Sequence, residues 1–187
     1  MRKQIMEHAK HIEITGFRNI KIDDPELWVI SAQKEQQGAA VQYFDANLIA
    51  TWEHLYFAAL NALTAFATQK NISRNVAMEM MLFASAQRQI RKAIEFIGLK
   101  HGDANVAVVI VGNDSARVEA ATSIAKRIFG KEFDESVLEI SESKFKSIRS
   151  AFGVTDEEVK TVVKENNMEQ TLVSLIIERM ALLSTRL

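Results

Sequence analysis

The chain of 187 residues contains no cysteine, which excludes a disulfide framework, a thiol nucleophile and any cysteine-ligated zinc or iron–sulfur site. One proline and seven glycines are too few for a flexible or low-complexity linker. No apolar run approaches the roughly 18 residues of a membrane span. The opening MRKQIMEHAK lacks the unbroken apolar stretch of a signal peptide, so a cytoplasmic protein without membrane attachment is expected. Neither sign of charge dominates: 23 Lys and Arg against 24 Asp and Glu give a net charge of -1, so the molecule as a whole is not a polycation.

Enzyme motifs are missing as well. Gly112 is followed by Asn-Asp-Ser-Ala without the glycines and lysine of a phosphate-cradling loop. The four histidines, His8, His11, His54 and His101, never occur at zinc-site spacing, and no serine sits in a nucleophile elbow. Acid pairs such as Asp23–Asp24 and the run Asp156 to Glu158 fall at helix starts, where carboxylates face the positive end of the helix. No catalytic residue, metal or cofactor is assigned.

What is present is ample apolar material, 48% of the residues, enough for one domain with its own core. The domain is read as residues 10–185, with 1–9 as an N-terminal extension. His11 to Phe17 alternates as a strand with Gly16 at a bend, and Asp24-Pro25 starts a helix running to Gln36 or Gln37. Ala39 to Phe44 gives a second strand. Thr51 to Thr68 is a helix with Trp52, Tyr56, Ala59, Leu63 and Phe66 on one stripe. Ser73 is placed as the cap of the next helix, whose Val76, Ala77, Met80, Met81 and Ala84 share a buried side. A tight joint near Ser85 leads into a third helix to Ile97, with Ile90, Ala93, Ile94 and Ile97 toward the core and Gly98 as its stop. Asn105 to Val111, with VAVVIV at its centre, belongs inside a sheet. A helix to Ile128, a short fourth strand Val137 to Ile140, a helix Glu142 to Ser150 and a Thr155–Glu158 capping box follow. The pattern is α+β. The last helix, Met168 to Leu183, is apolar around most of its circumference, so it is either central or one side of an interface. Leu172, Leu175, Ile176, Met180 and Leu183 are the candidate partner-binding residues on it.

Charge is uneven along the chain. Gln69 to His101 carries Lys70, Arg74, Arg88, Arg91, Lys92 and Lys100 against Glu79 and Glu95, a net of +4, whereas Lys131 to Glu169 carries a net of -4. The basic stretch includes SAQRQIRKAIEFIG. As a helix from Ser85 to Ile97 it sets Arg88, Arg91, Lys92 and Glu95 away from the isoleucines, with Gln87 and Gln89 near its start. Arginine can pair with phosphate and glutamine can meet base edges. This face is either an RNA contact or a solvated surface with local ion pairs. His54 and Asn61 share a helix face and give a third reading, a small-ligand enzyme.

The segments EITGFRN, QYFDANLIATWEH and above all MEMMLFASAQRQIRKAIEFIGLKHG, with a weaker echo in FDESVLEI, resemble the small regulatory subunit of the KEOPS tRNA-modification complex, the partner of its kinase-like ATPase. The resemblance covers roughly residues 12 to 183. It implies a small mixed, largely antiparallel sheet packed with several helices, and a noncatalytic subunit that binds the kinase-like ATPase. It further implies help in recruiting tRNA through its CCA end for N6-threonylcarbamoyladenosine formation at position 37, and indirect association with the threonylcarbamoyl-transferring subunit. Gln87, Arg88, Gln89, Arg91, Lys92 and Lys100 become the candidate RNA-binding residues. Ala86 stands where the family pattern has glycine, and Phe83 where some members have arginine. The alternative is a protein-only adaptor.

Overall fold

A computed structural model describes residues 1–27, 30, 38–162 and 167–183. Four strands form one antiparallel sheet in the order β1-β2-β4-β3: β1 Arg2–Ile5, β2 Lys10–Ile22, β3 Ala39–Asp45 and β4 Gly102–Gly112. β4 pairs with both β2 and β3 and so lies inside the sheet, as its run of β-branched residues demands. The mixed pairing that the resemblance allowed is absent among the described strands. Residues 1–9, set apart above as an extension, contribute the edge strand β1 and a 3-10 turn, Met6–His8. The Asp24-Pro25 helix start is present: the Asp24 carboxylate accepts from the N–H groups of Glu26 and Leu27 at 3.0 and 3.1 Å. The rest of that helix lies outside the described residues.

The pleat sends alternate residues of β4 to opposite faces. Ala107, Val109 and Val111 join Ile12, Ile14 and Phe44 under α1 (Trp52–Ala67) and α2 (Val76–Ser85). Val106, Val108 and Ile110 join Phe17 and Tyr43 under α4 (Ser115–Phe129). Gly16 is not the bend that was expected. The irregularity falls between Phe17 and Ile20, with Asn19 at φ 54°. Gly16 serves close approach: a Cβ there would lie 2.2 Å from the Val137 side chain. Val137 belongs to a 3-10 turn, Glu135–Leu138, rather than a strand. The Asp134 side chain caps that turn, a local bond that draws so short an apolar segment away from pairing.

The remaining helices close the second side of the α1–α2 layer. These are α3 (Ile90–Ile97), α5 (Glu142–Ala151), α6 (Asp156–Val162) and α7 (Met168–Leu183). α7 packs on α1 and α2, and its other side meets α5 and α6 through Ile148, Val159, Leu172 and Ile176. The Thr155–Glu158 capping box is formed at the start of α6: Thr155 N–H donates to Glu158 at 2.7 Å, and Glu158 N–H donates to the Thr155 hydroxyl at 3.2 Å. Asn75, not Ser73, caps α2. Ser73 is instead held by Glu79, whose buried carboxylate accepts from the N–H groups of Ile72 and Ser73. Among the described residues no helix is long and apolar enough to cross a membrane.

Candidate nucleic-acid interface

The segment expected as one helix from Ser85 is divided. The Ser85 hydroxyl turns back on the helix, donating to the Met81 carbonyl at 2.8 Å. Ala86 then adopts the left-handed conformation, φ 51° and ψ 32°. Its N–H donates to Phe83 O, and the Gln87 N–H to Leu82 O, the paired bonds of a Schellman ending that ordinarily places glycine here. Gln87, Arg88 and Gln89 therefore lie on a connection rather than on a helix.

α3 starts only at Ile90. Gln89 has the extended backbone of a cap, φ -105° and ψ 122°, yet its side chain caps nothing, and the first turn contains no acid. The first N–H groups of α3 are thus uncapped and sit beside Arg88, Arg91 and Lys92. Cations at this end oppose the helix dipole, so the arrangement costs helix stability and favours an anion.

The short helix also changes which side chains are inside. Ala93 and Ile97 are buried, but Ile90 and Ile94 are 42% and 45% exposed, contrary to the four-residue inward stripe. They stand about 60° around the helix from the buried line. Lys92 and Phe96 occupy its other flank.

That flank opens on a cleft of about 420 Å³ lined by the Ser85–Gln89 joint, Lys92, Phe96, the end of α5 at Ala151 and Phe152, and Arg179, Leu182 and Leu183 of α7. Phe96 and Phe152 meet edge to face at 5.0 Å. The Arg88 guanidinium donates to Leu183 O at 3.4 Å, at the carbonyl end of α7, where a cation is favoured. Arg179 ties the wall together: its Nη2 donates to Gly153 O at 3.2 Å and to both Glu158 oxygens at 2.8 and 3.0 Å, while its buried Nε has no hydrogen-bond partner among the described residues. The Thr155 N–H, with lesser help from the Thr155 hydroxyl and Arg179, holds the Glu158 carboxyl below the usual carboxylate range.

His54 lies behind the cleft, fully buried, with its ring edge-on to Phe152 at 5.7 Å. Its Nδ1 accepts from Ala50 N–H at 3.2 Å and its Nε2 donates to Ala84 O at 2.8 Å. Burial pushes its pKa down to about 4, against the raising effect of the Ala84 bond. The neutral ring pins the entry of α1 to the end of α2. With both nitrogens engaged it offers no base to a substrate, which removes the observation behind a His54–Asn61 enzyme.

Of the candidate RNA-binding residues, Gln87, Arg88, Gln89 and Lys92 line this cleft. Arg91 points away, paired with Glu95 at 2.8 Å on the surface, and Lys100 is exposed beyond the far end of α3. Arg179 was not anticipated; its one available signal is that it is the lone base in the apolar last helix. The candidate partner-binding residues Leu172, Leu175, Ile176, Met180 and Leu183 are buried in the domain itself, because α7 packs against helices on both sides. The large apolar side chains α7 exposes are Met168 and Leu182.

Residues 17–184 match the family model described as "Kinase binding protein CGI-121". The chain is 35% identical over 141 residues to "Regulatory protein Cgi121" of Methanocaldococcus jannaschii, covering 75% of this chain and 83% of that protein. With the match running from the middle of β2 to the end of α7, the chain belongs to the CGI-121 family of kinase-binding proteins.

Proposed function

We propose that this chain is a noncatalytic regulatory subunit of the cytoplasmic KEOPS complex, which binds the kinase-like ATPase and helps recruit tRNA by its single-stranded CCA end. The kinase partner follows from the family. Recruitment serves N6-threonylcarbamoyladenosine formation at position 37, with the threonylcarbamoyl transfer carried out by another subunit that this chain meets only indirectly.

One observation carries the RNA reading: an uncapped helix start flanked by Arg88 and Lys92 opens into a cleft floored by Phe96 and Phe152. Phosphate suits the cations and free N–H groups, unpaired bases suit the aromatic floor, and Gln87 and Gln89 supply both donors and acceptors. A duplex would need a broad surface, whereas a single-stranded end fits a cleft of this size.

The test is a tRNA titration with the Arg88→Glu/Lys92→Glu variant, checked for folding by circular dichroism. Affinity should fall at least about tenfold, and the logarithmic salt slope should decrease by about 1.5 for two lost phosphate contacts. Unchanged affinity and slope would refute the RNA role.

The protein-only adaptor is favoured by a different observation, the exposure of Ile90 and Ile94 on α3. On that reading Ile90→Asp/Ile94→Asp abolishes copurification with the kinase-like subunit, and tRNA affinity is negligible in wild type.

A further inference from the structure

A polar pocket of about 490 Å³ lies between β2, the 3-10 turn Glu135–Leu138 and the first turns of α5, and shares no lining residue with the cleft described above. Hydroxyls and carboxamides make up most of its wall, with Arg18, Glu139 and Lys144 as the charged side chains lining it.

Lys144 is the group whose surroundings suit it least as a cation. Its Nζ donates to Val137 O at 2.7 Å, and Val137 lines the same pocket. An ammonium has three donors, and the other two have no partner among the described residues. The residue is half-buried and stands in the first turn of α5, behind the Ser141 cap, where the positive end of the helix opposes a cation. The charged and titratable groups around it are Asp45 at the end of β3, Glu139, Arg18 and, within electrostatic reach, His54 of α1. Glu142 of its own helix is turned to Lys146 at 2.6 Å. Burial outweighs the two carboxylates and pushes the Lys144 pKa down to about 8. At pH 7 about a tenth of such a side chain is neutral, against about one in 2,500 for an ordinary lysine. The neutral amine can keep one N–H on Val137 O and still present its lone pair to the pocket.

Arg18 provides a place for an anion beside it. Its Nε donates to Asp134 and its Nη2 to the Ser136 hydroxyl, both at 2.7 Å, which fixes the guanidinium. Its Nη1 has no partner among the described residues, and the Asn47 carboxamide has none either. A held guanidinium with a spare N–H edge suits phosphate. We infer that Lys144 is a site of Nε-acylation by small acyl phosphates, whose phosphate end is received beside Arg18. The amine attacks the carbonyl carbon and an N–C bond forms. The C–O bond to phosphate breaks, its electron pair leaves on inorganic phosphate, and the proton lost from nitrogen goes to water. The product is an uncharged amide that still has one N–H for Val137 O, so the turn stays in place. This site is independent of the tRNA reading.

The experiment incubates the full chain with acetyl phosphate, with Nα-acetyllysine amide in the same tube as reference, and follows Lys144 occupancy by peptide mass spectrometry. At about pH 7.5 Lys144 should acetylate about tenfold faster than the reference, and its rate should level off above about pH 8 while the reference keeps rising toward about pH 10. Arg18→Gln should slow the acetyl phosphate reaction about tenfold, as loss of one charge-assisted hydrogen bond allows. The neutral N-hydroxysuccinimide ester of acetate should react with that variant at the wild-type rate, which also shows that the pocket is folded. If both rates fall together, Arg18→Lys, which keeps the cation, should restore both. A Lys144 rate no higher than the reference overturns the proposal, and so does an Arg18→Gln chain that keeps the full acetyl phosphate rate or an Arg18→Lys chain that restores neither.

Discussion

On the inner side of the α2–α3 joint, His54 and Ser85 give each polar group a partner: Ala50 N–H, Ala84 O and Met81 O are all engaged. On the outer side of the same joint, Gln89 caps nothing and cations crowd the helix start. The α6 start, three residues past Phe152 of the cleft wall, shows what the outer side lacks. Thr155 and Glu158 satisfy each other's N–H groups, acids fill the first turn, and Arg179 neutralises Glu158. The chain therefore contains good helix caps where stability is the only demand. At Gln89 it leaves stability unused, at a helix start that borders the cleft lined by Gln89 and Lys92.

The largest test of this contrast concerns the inner side. His54 has a folded pKa of about 4 against an ordinary 6.5, so between those values the unfolded chain binds the proton and the folded chain does not. Stability from this residue is complete above pH 6.5 and declines as pH falls toward 4, by about 3 kcal/mol over the window. Urea denaturation at pH 7 and pH 4.5 measures it. His54→Gln should be less stable at pH 7 yet lose little more on acidification through that window; a wild-type curve no steeper than the variant's would show that the joint is not pinned as described.

A smaller effect is expected on the outer side. Because Gln89 already has capping backbone angles, Gln89→Ser and Gln89→Asp should each stabilise the protein by about 1 kcal/mol. If the free N–H groups serve an anion, the same substitutions weaken tRNA binding, the aspartate by about tenfold and the serine by less, since only the former adds repulsion. Stabilisation without any loss of affinity would break the link between the missing cap and the cleft.

The sequence announces these two sides unequally. β4 was legible because six consecutive apolar, mostly β-branched residues tolerate no exposed edge, and the bounds of α7 and the Thr155–Glu158 box followed from periodicity and local chemistry. Edge strand β1 was not, since three of its four residues are exposed and only Ile5 is buried, leaving no alternation to detect. Ala93 and Ile97 were placed inward correctly, but periodicity could not show that the helix begins at Ile90, because the chain reverses at an alanine, a residue that gives no turn signal. The basic cluster was visible as charge. Its partners across the cleft, Phe152 and Arg179, come from segments more than 50 residues away and are brought there by tertiary packing alone. The same packing explains α7: an all-round apolar helix fits either a core or an interface, and only the placement of α5 and α6 on its far side decides for Leu172 and Ile176.

Ala86 joins the two sides, and its replacement gives the smallest predicted effect. A left-handed alanine costs roughly 1–2 kcal/mol relative to an unstrained residue, and glycine would remove that cost. Glycine also gives the unfolded chain more freedom, which returns about 0.5–1 kcal/mol of it. The difference leaves Ala86→Gly more stable by about 0.5 kcal/mol, a rise of about 1–2 °C in Tm for a chain of this size. Calorimetry resolves a shift of that size when both proteins are scanned together. Since φ is already what glycine would adopt, the joint should keep its shape and tRNA affinity should stay within about twofold. A fall in Tm would mean that the Ala86 methyl, at the rim of the cleft, contributes more by packing than it costs by strain, and the outer side would then be less sparing of stability than its missing cap implies.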